Sequence, residues 1–198
     1  MPSRSSEPGE LGPLLRSVLA AVARSGEAAP LVVIDGRSGA GKSTFARMLQ
    51  QHLPGEVDLL PLDAFYPGWD GLTAASEMLA DEVIAPRAAG EPGRWRRWDW
   101  DRGVAAEEHL VAPGRTLVVE GSGSLTPRVA AYATVSVWMD GPAPQRRARA
   151  LARDGETYAP HWERWAAQEE QHVARNRPAD LADVVYDPST ACTSASSR

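Results

Sequence analysis

Between Gly36 and Ser43 the chain reads Gly-Arg-Ser-Gly-Ala-Gly-Lys-Ser. This matches in full the pattern G-x-x-x-x-G-K-[ST], whose backbone N–H groups cradle a run of phosphates. Glycine lets successive N–H groups turn inward, and a helix starting near Lys42 adds the positive end of its dipole. Lys42 then reaches the β- and γ-phosphates, and the Ser43 hydroxyl coordinates Mg²⁺. The expected ATP-binding set is Gly36, Ser38, Gly39, Ala40, Gly41, Lys42, Ser43 and Thr44. Lys42 is the only lysine in a chain that otherwise uses arginine, so a compact ammonium is kept where the motif needs one.

Other residues must say what the phosphates are for. The guanine-reading N-K-x-D element of GTPases cannot form, because Asn176 is the only asparagine and the only lysine is already used. Asp63 closes the apolar run Val57 to Leu62, and Glu120 closes the run Thr116 to Val119. Both therefore stand at carboxyl edges of strands, where ligands bind in open α/β sheets. A carboxylate there can accept a hydroxyl proton and align the oxygen for attack on a γ-phosphate. An aspartate capping the turn after its strand is the competing reading of Asp63. Arg146, Arg149 and Arg153 share one helical face, to be weighed against a solvated basic face for Arg146 and Arg147. The segment from Arg94 to Arg102 interleaves Trp95, Trp98 and Trp100 with arginines, yet includes Asp99 and Asp101. With 26 acidic against 21 basic residues and a net charge of −5, the chain is not expected to bind nucleic acid or an anionic membrane.

The segment Leu62-Asp63-Ala64-Phe65-Tyr66 resembles the D-x-F-Y motif of uridine kinases and their relatives. The resemblance implies that Asp63 is the catalytic base and aligner and that Tyr66 lies beside the acceptor. It also implies that Glu120 is the Walker-B-type acid that, with Ser43, holds Mg²⁺ or its waters. Arg149 and Arg153 match R-x-x-x-R-D of the arginine-bearing lid, and Asp99 would hold the sugar hydroxyls, with Trp98 or Trp100 as pocket wall. The helix around Trp162, Trp165, Glu169 and His172 and the stretch from Ala179 to Val185 are similar to the family's C-terminal part. The family's ring-reading insertion is replaced here by a short helix-like segment containing His109. The expected activity is transfer of the γ-phosphate of ATP to a hydroxyl of a nucleoside-like small molecule. A non-nucleoside alcohol as acceptor and a regulatory ATPase without an acceptor are the alternatives.

The elements that must position these groups follow from apolar spacing. Leu11 to Arg24 has helical periodicity, and short apolar runs follow at Leu31 to Ile34, Val57 to Leu62, Thr116 to Val119, Val135 to Met139 and Val184 to Tyr186. Helical segments are expected at Ser43 to Leu53, Thr73 to Ala85, Val104 to Val111, Pro144 to Arg153 and Pro160 to Arg175, with a loop at Pro86 to Gly93. The alternation predicts an α/β fold: a P-loop NTPase with a doubly wound, mainly parallel five-stranded sheet, helices on both faces and an arginine-bearing lid. A chain of 198 residues suits one domain, here residues 11–187, between a flexible segment 1–10 and a disordered tail 188–198. Cys192 is the only cysteine, which excludes an intrachain disulfide and points to a cytoplasmic setting. No stretch approaches the roughly twenty apolar residues of a membrane span. A homo-oligomer is compatible with all of this.

Overall fold

The computed structural model describes residues 11–189 and 194–195. Residues 1–10, Cys192 and most of the tail lie outside the described residues, and so do the expectations made for them. The first half runs through α1 (Gly12–Ser25), β1 (Leu31–Gly36), α2 (Lys42–His52), β2 (Val57–Pro61), a 3-10 turn (Leu62–Ala64), α3 (Leu72–Met78), a π-helical segment (Leu79–Ile84) and α4 (Ala85–Ala88). Then come β3 (Gly93–Asp99), β4 (Val104–Val111), β5 (Thr116–Glu120), α5 (Pro127–Ala130), β6 (Val135–Met139) and α6 (Ala143–Tyr158). A second 3-10 turn (Ala159–His161), α7 (Trp162–Asn176), α8 (Pro178–Leu181), β7 (Val184–Tyr186) and β8 (Ser194–Ala195) complete the order. No helix among the described residues is long and apolar enough to cross a membrane.

The five expected strands form a parallel sheet in the order β2-β5-β1-β6-β7. Within the tail, Ser194 and Ala195 add a short antiparallel strand beside β7. Strands β1, β5 and β6 are buried along their whole length, as continuous apolar runs in a sheet covered on both faces must be. Alternate residues of β1 feed two separate cores. Val32 and Ile34 pack with α1 and α2, whereas Leu31 and Val33 pack with α3, the π segment and α7. The chain therefore leaves β1 on one face and leaves its neighbour β5 toward α5 on the other. Such a topological switch point opens a crevice at the carboxyl ends of the strands.

Two local expectations are corrected. Val104 to Val111, expected as a helix, is strand β4, paired antiparallel with β3 in a separate two-stranded sheet. Cross-strand partners account for this: Arg94 pairs with Glu108 at 2.9 Å, Arg97 with Glu107 at 2.6 Å, and Trp95 stacks on His109 at 4.4 Å. The loop expected at Pro86 to Gly93 begins as the short helix α4 and ends as the first residue of β3. Pro86 has no N–H to give to the residue four positions back, which accounts for the π-type widening just before it.

Candidate active site

Strand β1 delivers the chain to the crevice at Gly36, where φ is 153°, and the loop turns again at Gly39 with φ 77°. A Cβ on Gly36 would stand 2.0 Å from the Met139 carbonyl oxygen, and one on Gly39 would stand 2.1 Å from that of Arg146. Only glycine lets the loop pass so close to β6 and α6. Helix α2 starts at Lys42 without a side-chain cap, so its first N–H groups are left for an anion. The buried Lys42 Nζ donates to the Gly36 carbonyl at 2.7 Å, to that of Arg37 at 3.2 Å and to Ser122 Oγ at 3.3 Å. Ser38, Gly39, Gly41, Lys42, Ser43 and Thr44 line a cavity of about 370 Å³. Ala40 sits in the core beneath the loop, so it and Gly36 shape the cradle without lining it.

Two carboxylates meet at one edge of this cavity. Asp63 is exposed in the turn after β2, and Glu120 is buried at the end of β5. Burial, and then the charge of Asp63, raise the Glu120 pKa above its ordinary 4.5, against the opposing pull of Lys42, of a hydrogen bond from Ser43 and of Arg153. A buried acid beside a second acid and a hydroxyl fits a divalent cation, whose charge relieves both. Among the described residues no group of three or more His, Cys, Asp or Glu forms a metal cage by itself. Mg²⁺ keeps several waters and takes phosphate oxygens as further ligands, so one hydroxyl and one or two carboxylates would suffice to hold it.

The sign of the Glu120 shift gives a test. A carboxyl whose pKa is raised by folding destabilises the fold as pH climbs from 4.5 toward the raised value, because the unfolded chain ionises first. Glu120→Gln is therefore expected to raise the metal-free melting temperature at neutral pH, by about 2–4 °C for each kcal/mol recovered. It should also remove the stabilisation that Mg²⁺ gives the wild type. An unchanged Mg²⁺ effect contradicts the metal assignment, and a lower metal-free melting temperature contradicts the raised pKa of Glu120.

Helix α6 brings its arginines to the same loop. Arg146 is buried, pairs with Asp140 at 3.0 Å and donates to the carbonyls of Gly141 and Ser38 at 2.8 and 3.3 Å. Its work is to fasten α6 to the loop. Arg147 is exposed, as on a solvated face. Arg149 Nε donates to the Gly39 carbonyl at 2.7 Å and lines the cavity, and Arg153 reaches the edge where Asp63 and Glu120 meet. Two residues later Gly155, with φ 60° and ψ −141°, breaks the helical path.

Beyond that edge lies a second cavity of about 590 Å³, which shares Ser38, Ser43, Arg47, Asp63, Glu120 and Arg153 with the first. Its remaining wall is largely aromatic, formed by Tyr66, Trp69, Trp100, Tyr158 and Trp165, with Asp101 at its edge. Trp69 stacks with Tyr158 and with His161 at centroid distances of 5.5 and 4.2 Å. Tyr66 is buried, its hydroxyl donates to the Ser122 carbonyl at 2.7 Å, and burial holds its pKa well above 10. Only its ring is offered to the cavity. Trp100 packs 4.9 Å from Trp69, and its Nε1 donates to the Asp63 carbonyl at 3.2 Å. The hairpin tip is thus tied to the candidate base. The structure does not bring Trp98 or Asp99 to the cavity wall. Trp98 is half-buried within the hairpin, and Asp99 Oδ1 accepts from the Arg102 N–H at 3.0 Å, capping the turn. Asp101, two residues on, stands where Asp99 was expected. The Tyr158 hydroxyl is buried in this wall beside Ser38, and burial raises its pKa above the ordinary 10 against the opposing pull of Ser38.

Five polar residues around the loop had not been given a role from the sequence. Asp35, fully buried, accepts from the N–H groups of Gly36, Gly123 and Leu125 at 2.6, 2.9 and 2.8 Å, and it bonds His172 Nε2 at 2.8 Å. His172 in turn meets Asn176 at 2.9 Å. One carboxylate thereby sets the phosphate loop against the segment after β5. Ser122 and Glu169 contact the loop directly. The signal that could have pointed to α7 was polar: Glu169 and His172 fall on the same buried stripe as Trp162 and Trp165.

A parallel sheet covered by helices on both faces, with a glycine-rich loop between β1 and α2 at its switch point, is the P-loop NTPase fold. A possible uridine kinase from Bacillus stearothermophilus is similar to this chain with a TM-score of 0.63 at 18% identity, over 90% of this chain and 98% of that one. A protein provisionally described as a fructose transport system kinase from Silicibacter sp. TM1040 is similar at 22% identity over 85% of this chain and 94% of the other, with a TM-score of 0.47. No protein-family model and no curated protein matches the chain.

Proposed function

We propose that the chain is an ATP-dependent phosphotransferase that moves the γ-phosphoryl group to a hydroxyl of a ring-bearing, nucleoside-like small molecule. The observation that carries this reading is the shared wall. A cavity at the phosphate loop and a cavity walled by aromatic rings meet at Ser43, Asp63, Glu120 and Arg153. Chemistry between a donor and an acceptor belongs at such a wall.

The steps follow from the residues. The acceptor ring lies among Trp69, Trp100 and Trp165, which leaves its hydroxyl at Asp63. Asp63 takes the hydroxyl proton as the oxygen bonds to the γ-phosphorus and the bond to the leaving ADP oxygen breaks. Lys42, Arg149 and Arg153 stabilise the charge on the phosphoryl oxygens, Arg149 and Arg153 being held over the loop by α6. Ser43 and Glu120 would hold Mg²⁺, which when bound neutralises phosphate charge. The Tyr158 hydroxyl, kept protonated because burial raises its pKa, donates to the acceptor. A non-nucleoside ring alcohol remains the nearest alternative acceptor, favoured by a hairpin that gives the cavity only Trp100 and Asp101. A small-molecule acceptor rather than nucleic acid, and a cytoplasmic setting, go with this reading.

An acceptor screen coupled to ADP release tests it. At least one ring-bearing alcohol should raise ADP release well above the basal rate, and a basal rate that no acceptor changes would favour a regulatory ATPase instead. With that acceptor, Tyr158→Phe should raise KM about 2–10-fold, the scale of one neutral hydrogen bond of about 0.5–1.5 kcal/mol, while the ring packing is kept. An unchanged KM removes Tyr158 from the acceptor site.

A further inference from the structure

Glu169 lies on α7, only 3% exposed, between the phosphate loop and the aromatic cavity. One of its oxygens, Oε1, accepts four hydrogen bonds: from Ser38 N at 2.7 Å, Ser38 Oγ at 2.8 Å, Ser122 Oγ at 2.9 Å and Trp165 Nε1 at 3.1 Å. Three of these donors belong to the donor side. Ser38 is in the loop itself, and Ser122 also meets the Gly36 carbonyl at 2.9 Å and Lys42 Nζ at 3.3 Å. The fourth is the indole of Trp165, which lines the aromatic cavity and not the phosphate cavity. Trp165 and Glu169 are one turn apart on α7, so the indole and the carboxylate move as neighbours on one rigid element.

We infer that Glu169 is a positioning residue that couples occupancy of the aromatic cavity to the set of the phosphate loop. A ring seated against Trp165 orders the indole, the indole N–H orders the Glu169 carboxylate, and the carboxylate fixes Ser38 in the loop. Linkage makes the effect mutual: a nucleotide that orders Ser38 prepares the Trp165 face for the acceptor to the same degree. A carboxylate fits this position because it accepts several donors at once and offers none in return. The inference rests on the reading of the two cavities as donor and acceptor sites.

A double-mutant cycle on ADP affinity tests the coupling without any acceptor. ADP binding is measured by titration calorimetry for wild type, Trp165→Phe, Glu169→Met and the double variant, with melting temperatures to confirm folding. Trp165→Phe keeps a ring but removes the indole N–H. It should weaken ADP binding about fivefold, the lower scale of coupling between linked sites. In the Glu169→Met background, which keeps the length of the side chain but offers no oxygen to either partner, the same change should cost less than about twofold, because the path it acts through is already broken. Equal factors in both backgrounds, or no effect of Trp165→Phe on the wild type, would overturn the coupling. Failure of the wild type to bind ADP at all would instead overturn the donor-site reading. Should Glu169→Met melt below the assay temperature, Glu169→Asp takes its place in the cycle, since the shorter carboxylate cannot reach both partners, and the same factors decide.

Discussion

Lys42→Ala is expected to reduce phosphoryl transfer by at least about a thousandfold, the upper scale for removing one preorganised donor from developing charge. Two effects add. The ammonium that faces the phosphates is lost, and the Gly36 and Arg37 carbonyls lose the donor that holds the loop closed at 2.7 and 3.2 Å. No second lysine exists in the chain to move into its place. Lys42→Arg should not restore activity, because a planar guanidinium cannot fit the buried pocket that a compact ammonium fills. Single-turnover transfer with MgATP measures the loss, and nucleotide titration separates it from binding. Transfer at the wild-type rate in Lys42→Ala would overturn the donor-site assignment.

Asp63→Asn should lower kcat by about a hundredfold or more while leaving acceptor KM within a few-fold, as removal of a general base does. The amide keeps the shape of the side chain, and the Trp100 bond to the Asp63 backbone carbonyl at 3.2 Å is untouched. The aromatic cavity should therefore keep its acceptor. Asp101→Asn offers the contrast, because Asp101 lines the aromatic cavity and not the phosphate-loop cavity: it should raise acceptor KM and leave kcat within a few-fold. A normal kcat in Asp63→Asn would return Asp63 to a turn-capping residue.

The phosphate-loop half of the site was legible because it is local. Strand β1, the glycine loop and α2 are contiguous, and a run of buried apolar residues ending in Gly-x-x-x-x-Gly-Lys-Ser has few other uses. Strand-end placement of Asp63 and Glu120 was likewise legible from where the apolar runs stop. The hairpin was not. Ala105, Ala106, Glu107 and Glu108 favour a helix by intrinsic propensity, and a strand exposed on both faces shows no alternation to argue against it. Its strand form depends on Arg94, Trp95 and Arg97 across the turn. The exchange of Asp99 for Asp101 has the same origin, since the turn decides which carboxylate caps it and which faces the cavity. Asp35 and Glu169 were hidden for another reason: their partners lie 137 and 131 residues away, and only the assembled fold brings them together.

The β3–β4 hairpin forms a sheet of its own and gives the cavity only Trp100 and Asp101 from its tip. The phosphate loop, by contrast, is hemmed in by β6, α6 and α7, so that a single added carbon at Gly36 or Gly39 collides with backbone. The two halves of the site therefore differ in how much change they can bear. The hairpin tip can be altered or lengthened with little effect on the main sheet, whereas the loop is pinned by its neighbours. The wall of the aromatic cavity is open to redesign in a way that the phosphate loop is not.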